Sequence, residues 1–231
     1  MNENPAAYFK RYRQLIGFTN QENTKKFLSG KDIAPEIDFK YIDNLNKRLV
    51  AIISKINHIA NESYKTSNLH EFSEKNIFTP YKKIRDSGLL SKLNNQGRRP
   101  EQVYFSWMRK YIISNYFLKA LSLVFEINIE DIDLIGDDDL INIDTFKRTS
   151  KADLEVNLNN GEKIRLEIQS GFQGINDIKQ HKVLEAKKIK RGENISSMAI
   201  HFDLFNGQVA FVKIDEIDDD SVNWITRIRL L

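Results

Sequence analysis

The chain has 231 residues, of which 41% are hydrophobic and 29% are charged, a length that supports one sizeable hydrophobic core. No run of about 18 apolar residues is present, and the N-terminal sequence lacks the apolar segment of a secretory signal. Cysteine is absent, which excludes a disulfide framework, a thiol nucleophile and a thiolate zinc site. These features favour a cytoplasmic protein.

Charge is distributed unevenly along the chain. Residues 1–120 carry a net charge of +10 and residues 121–231 a net charge of −7, which together give the formal charge of +3. A basic half beside an acidic half is typical of a protein that grips a polyanion with one part and holds metal cations with the other. Two ordinary solvated surfaces would give the same counts.

The first 126 residues have the periodicity of helices. Residues 5–16 and 21–28 predict short helices, and residues 36–64 predict a long one. In the long helix, isoleucine and leucine recur at steps of three and four residues, which indicates core packing or a dimer seam. The stripe consists of Ile42, Leu45, Leu49, Ile52, Ile53, Ile56 and Ile59.

A second long helix is predicted over residues 100–125. The polar cluster at residues 94–99 breaks the preceding pattern. Pro100 then occupies the first helical position, where proline is favoured, and Glu101 lies in the first turn. We therefore place the boundary between a helical N-terminal region, 1–99, and a core domain, 100–231, at this proline.

Strand patterns follow the second helix. Residues 152–158 and 163–169 alternate between apolar and polar side chains around Asn160-Gly161, which predicts a β-hairpin. Further strands are expected over residues 140–146, 198–204, 208–214 and 222–230, and a helix over 175–190. The predicted fold class is therefore α/β or α+β, with a sheet flanked by helices.

Two acids on the hairpin form the candidate active centre. Glu167 and Gln169 point to one face of their strand because side chains two residues apart share a face. Pairing about Asn160-Gly161 places residue 154 near Glu167, so Asp153 falls beside Glu167 or one step away. A bulge or a splayed pair would then bring both carboxylates to one side.

This donor set suits Mg²⁺. The carboxylates of Asp153 and Glu167, with the backbone carbonyl of Ile168, offer the hard oxygen ligands that Mg²⁺ prefers. Bound metal can activate water and neutralise charge on a phosphodiester. Gln169 is neutral and can orient the attacking water through a hydrogen bond, but it cannot stabilise charge as a lysine would.

The order Asp153, then Glu167-Ile168-Gln169, then a helix and another strand resembles the PD-(D/E)XK nuclease core of many type II restriction endonucleases. The resemblance covers about residues 100–215 and implies a central mixed sheet flanked by helices. It also implies that Asp153 and Glu167 bind metal. The usual lysine corresponds to Gln169, as in some restriction enzymes, and Ala152 replaces the usual proline.

The resemblance implies a homodimeric type II restriction endonuclease that hydrolyses DNA phosphodiester bonds at a specific double-stranded site with Mg²⁺. A companion DNA methyltransferase encoded nearby is expected. The alternatives are a DNA repair nuclease, another defence nuclease, and a non-catalytic DNA-binding protein with the same fold.

Several polar residues are candidates for DNA contact. Arginine side chains match phosphate geometry, and the polar start of the helix after the hairpin suits phosphates or base edges. Plain solvated loops are the competing interpretation. The candidates are Arg98, Arg99, Asn176, Lys179, Gln180, His181 and Lys182. Glu101 is a further candidate metal ligand, although an acid at a helix N-terminus also complements the helix dipole.

Overall fold

The computed structural model describes residues 5–18, 20–30, 33–93, 98–136, 152–171 and 178–218. The fold is mixed α+β: a five-stranded mixed sheet flanked by helices. The expected fold class is therefore confirmed. The strands expected at 140–146 and 222–230 lie outside the described residues.

Helices form the N-terminal part of the described chain. The long predicted helices are present, although the first of them is shorter than expected at both ends. Asn20, Asp38 and Asn68 cap helices by accepting hydrogen bonds from backbone N–H groups in the first turn. The helices are α1 (Pro5–Leu15), α2 (Gln21–Leu28), α3 (Phe39–Ile59), α4 (Leu69–Ser73), α5 (Thr79–Asp86), α6 (Pro100–Phe125) and α7 (Gln180–Glu193).

The sheet has the strand order β1-β2-β3-β4-β5. The first three strands are antiparallel, β3 and β4 are parallel, and β5 is antiparallel to β4. Helix α7 connects the two parallel strands, as a parallel pair requires. The strands are β1 (Ile132–Leu134), β2 (Leu154–Asn157), β3 (Lys163–Gly171), β4 (Ser196–Asp203) and β5 (Gln208–Lys213).

The hairpin between β2 and β3 has a different register from the predicted one. Asn157 pairs with Lys163 and Leu154 with Leu166, one residue earlier on β3 than expected. The reason is the turn: the backbone N–H of Leu158 donates to the carbonyl of Glu162 at 2.8 Å, which leaves a three-residue loop. Gly161 alone in this loop has a positive φ, +83°. A two-residue type I′ turn would need positive φ at Asn160 as well.

One hydrophobic core joins the N-terminal helices to the sheet. Ile42, Leu49 and Ile53 of α3 are fully buried in the same cluster as Leu166 and Ile200. Four residues of the α3 stripe, Ile42, Leu49, Ile53 and Ile56, therefore pack in or against this core, whereas Ile59 at the end of the helix is 75% exposed. A smaller cluster around Ala186, Ala199 and Ile214 lies under α7 on the other face of the sheet.

Two buried hydrogen bonds hold α3 and α6 together. The hydroxyl of Tyr104 donates to Asn46 Oδ1 at 2.6 Å, and the hydroxyl of Tyr116 donates to Asn57 Oδ1 at 2.7 Å. These tyrosine and asparagine side chains can be buried because each is the hydrogen-bond partner of the other. None of the described helices is long and apolar enough to cross a membrane.

Candidate active site

Asp153 and Glu167 lie close together where β2 meets β3. The backbone N–H of Asp153 donates to the carbonyl of Leu166 at 3.0 Å, although Leu166 is already the register partner of Leu154. Two residues of the first strand therefore oppose one residue of the second, which is a β-bulge. A bulge or a splayed pair was expected to bring the two carboxylates together, and a bulge is present at Asp153.

Asp153 is held by contacts from both sides of its carboxylate. Its Oδ2 accepts a hydrogen bond from the backbone N–H of Ile168 at 2.7 Å. Its Oδ1 accepts a short hydrogen bond from the Nζ of Lys110 on α6. Asp153 is 4% exposed. Gly136 packs against it, since a Cβ there would lie 3.2 Å from the Cα of Asp153.

Glu167 is paired with a lysine from α7, the helix that packs on the face of the sheet away from α6. The Nζ of Lys182, in the first turn of α7, lies 3.1 Å from its Oε2. The carboxylate is mostly buried, and the lysine side chain is 21% exposed. Lys182 was expected to contact DNA from an exposed helix start, but the structure places it beside the second acid. It places a positive charge beside Glu167.

The electrostatics show that the two carboxylates are close. Burial raises the pKa of Asp153, the charge of Lys110 lowers it, and the charge of Glu167 raises it again. The net direction is upward. A buried carboxylate whose pKa is raised by a neighbouring acid is typical of sites that bind cations or exchange protons.

The donor chemistry of this pair fits Mg²⁺. Asp153 and Glu167 lie close enough to interact, and a divalent cation would relieve the repulsion that, together with burial, raises the pKa of Asp153. No group of three or more histidine, aspartate and glutamate side chains that could hold a metal occurs within the described ranges. Mg²⁺ commonly uses only one or two carboxylates and keeps several waters, so two acids suffice.

Two residues near the pair were not singled out from the sequence. Lys110 lies in a mostly apolar helix that also carries Arg109 and Lys119, so no signal in the sequence distinguishes it. His201 belongs to none of the motifs found in the sequence, yet it lies opposite Gln169 in the β3–β4 register. Only the parallel pairing of β3 with β4 brings it to the site.

Glu101 lies away from the acid pair. Its carboxylate is fully buried and accepts two hydrogen bonds from Arg99, at 2.9 and 3.1 Å, and one from the backbone N–H of Asp38 at 2.8 Å. It precedes Lys110 by nine residues, about 13.5 Å along α6. The structure therefore brings Glu101 into a structural ion pair and not to the site, and we do not retain it as a metal ligand.

The candidate DNA contacts fall into two groups. Lys179, Gln180 and His181 are exposed at the start of α7, one turn or less from Lys182. Arg98 and Arg99 are exposed near the start of α6, where Arg99 also bonds Glu101. Helix α7 begins at Gln180, five residues later than expected, and Asn176 lies outside the described residues.

Comparison of the chain with protein-family models, curated proteins and solved structures found no match in any of the three. The resemblance to the PD-(D/E)XK core therefore rests on the residues and their spacing.

Proposed function

We propose that this protein is a Mg²⁺-dependent DNA endonuclease of the type II restriction kind, acting at a specific double-stranded site. One observation carries the proposal: Asp153 and Glu167 meet where β2 and β3 pair, since the carboxylate of Asp153 accepts the backbone N–H of Ile168 at 2.7 Å and the charge of Glu167 raises the pKa of Asp153. The sequence resemblance gives this geometry its chemical meaning. A homodimer that cuts both strands of a palindromic site belongs to the same proposal.

Each side chain at the centre has a role in phosphodiester hydrolysis. Asp153 and Glu167 would hold Mg²⁺, with the backbone carbonyl of Ile168 as a third oxygen. Bound there, Mg²⁺ supplies charge neutralisation and lowers the pKa of a water. Lys182 places a fixed positive charge beside Glu167, where it stabilises negative charge on the phosphate. Gln169 orients the attacking water through its amide.

The reaction balances with water as the only co-reactant. The water oxygen bonds to phosphorus as the bond between phosphorus and the leaving sugar oxygen breaks. The water loses one proton to solvent, and the leaving oxygen takes up one proton. Lys110 contributes indirectly, because its bond to Oδ1 fixes the orientation of Asp153.

Plasmid cleavage tests the proposal. Purified protein is incubated with plasmids of many sequences and Mg²⁺, and wild type is compared with Glu167→Gln. Glu155→Gln is the matched control, since Glu155 is an acid on the same face of the hairpin that bonds Lys163 and Arg165. We expect discrete fragments from wild type and Glu155→Gln and none from Glu167→Gln. Wild type that cuts no better than Glu167→Gln would overturn the proposal.

Smears or structure-selective cuts would instead indicate a repair nuclease or another defence nuclease.

A non-catalytic DNA-binding protein is the second candidate, and one observation favours it: both acids already bond to lysines. Titration calorimetry with Mg²⁺ separates the two functions. A catalytic site binds Mg²⁺ in wild type and loses that binding in Glu167→Ala. Equal heats in the two proteins would favour the non-catalytic function.

A further inference from the structure

His201 is a buried histidine on the face of the sheet that carries Glu167 and Gln169. In the parallel register of β3 and β4 it lies opposite Gln169, and it is 9% exposed. Neither of its ring nitrogens has a hydrogen-bond partner among the residues that the structure describes. Burying such groups without partners costs stability, so a buried imidazole of this kind indicates a partner that arrives later.

Gly171 makes room for this ring. A Cβ built on Gly171 would lie 3.2 Å from Cε1 and 3.6 Å from Nε2 of His201. Gly171 follows Glu167 by four residues on β3, so its missing side chain belongs to the same face as Glu167 and Gln169. The strand therefore lacks a side chain at the point where the imidazole lies, and the ring is placed on the face of Glu167 and Gln169.

Asp203 lies on this face, but its carboxylate is hydrogen-bonded within the β4–β5 turn. Its carboxylate accepts hydrogen bonds from the side chain of Asn206 at 2.6 Å and from the backbone N–H groups of Asn206 and Phe205. These bonds lower the pKa of Asp203, and the charge of His201 lowers it further. Asp203 is therefore an electrostatic neighbour of His201 and not its hydrogen-bond partner.

We propose that His201 contacts the substrate of the hydrolytic centre, donating a hydrogen bond from its ring to a phosphate oxygen of bound DNA. This inference rests on the proposed function. Phosphate oxygens accept hydrogen bonds, and an imidazole N–H donates one. Glu167 and Gln169 are two residues apart on β3, a distance of about 6.6 Å along the strand. His201 lies opposite Gln169 on the neighbouring strand, so it is about the same distance along the sheet from a proposed metal ligand.

The bond forms in the DNA-bound state. Asp153 and His201 are both more than nine-tenths buried, so a phosphate reaches either of them only after side chains over the centre move.

Substitution with phenylalanine separates this role from packing. His201→Phe keeps the volume and removes both nitrogens, so we expect an unchanged or higher melting temperature and a fall in plasmid cleavage of at least tenfold. Ser114→Ala is the matched control, because Ser114 is a buried residue of α6 whose Oγ also has no partner among the described residues. It should keep wild-type cleavage. A His201→Phe protein that cleaves like wild type would overturn the inference.

His201→Gln gives a second variant that retains an N–H donor. We expect its cleavage rate to lie between those of wild type and His201→Phe. Equal losses in the two variants would refute hydrogen-bond donation as the role of the ring.

Nuclear magnetic resonance of the imidazole makes the test independent of catalysis. The ring signals of His201, assigned by their absence in His201→Gln, are followed in wild type as duplex DNA of mixed sequence is added without metal. We expect them to shift. If wild type does not cleave but the signals shift, hydrolysis is refuted and the DNA contact stands. If DNA leaves the signals unmoved, the contact is refuted even if wild type cleaves.

Discussion

Glu101 and Asp153 are both buried carboxylates bonded to a cation, yet their pKa values move in opposite directions. Burial raises the pKa of Glu101, but the hydrogen bonds from Arg99 and from the backbone N–H of Asp38 outweigh it and lower the pKa. At Asp153, burial and the charge of Glu167 outweigh Lys110 and raise the pKa.

The difference separates an acid that stabilises the fold from an acid that serves a site. Glu101 has a donor for each of its oxygens and no acid among the groups that shift its pKa. Asp153 lies close to a second carboxylate, whose charge disfavours its ionised form, an arrangement that costs stability and is typical of functional sites. Burial alone would not have distinguished them.

Asp153→Asn should have the largest effect and should separate activity from stability. We expect Mg²⁺-dependent cleavage to fall by about 10³-fold or more, because a metal ligand is lost. The folded state disfavours the ionised carboxylate, so a neutral amide should leave the free energy of unfolding unchanged or higher. Plasmid cleavage and urea denaturation measure the two quantities. A stable Asp153→Asn protein with full activity would remove Asp153 from the site.

Lys182→Gln should reduce cleavage by about 10²-fold, because it removes a positive charge placed beside Glu167. Lys182→Arg should recover part of the rate, since it keeps the charge. Lys190→Gln is the control, because Lys190 lies two turns further along α7 and bonds only to Ser196 in the contacts of its side chain that the structure gives. Cleavage rates under single-turnover conditions provide the measurement, and equal rates for Lys182→Gln and Lys190→Gln would contradict the assignment.

Glu101→Gln should lower stability and leave cleavage intact, whereas Asp153→Asn should lower cleavage and leave stability intact. The amide keeps one acceptor oxygen and turns an N–H₂ group toward donors, so the free energy of unfolding should fall by about 2 kcal/mol. Cleavage at 25 °C should stay near the wild-type rate. Urea denaturation and plasmid cleavage on the same preparation check both values, and a stable but inactive Glu101→Gln protein would return Glu101 to the list of metal ligands.

The smallest expected effect is on the pH dependence of the difference in the free energy of unfolding between wild type and Glu101→Gln. Because the pKa of Glu101 is lowered in the folded state, its contribution is present at neutral pH and is lost as the pH falls through the folded-state pKa. The gap between wild type and Glu101→Gln should therefore be constant from about pH 7 to pH 5 and shrink below about pH 4. Denaturation curves across this range test it, and a gap that widens in acid would show that the pKa is raised.

The sequence predicted the strands of the hairpin, but not the register. Alternation identified Leu154, Leu166 and Ile168 as inward-facing, and all three are buried. The register depended on whether Asn160 or only Gly161 adopts positive φ, and Asn-Gly permits both. The position of Asp153 relative to Glu167 depends on this register and on the bulge at Asp153.

Long-range partners were beyond prediction from the sequence. Lys110 and Asp153 are 43 residues apart, and nothing local indicates that α6 passes the end of β2. Glu101 was correctly seen as a first-turn acid of α6, but its bond to the backbone of Asp38 depends on tertiary packing. Periodicity predicts which side of an element is buried, and not which element covers it.

The two tyrosine–asparagine hydrogen bonds have a consequence for communication across the molecule. Tyr104 and Tyr116 fasten α6 to α3 six residues before and six residues after Lys110. The segment of α6 that carries Lys110 is therefore held to α3 on both sides of the lysine. A displacement of α3 would therefore move Lys110 as well. Through the bond between Lys110 and Asp153, that displacement would reach the candidate site.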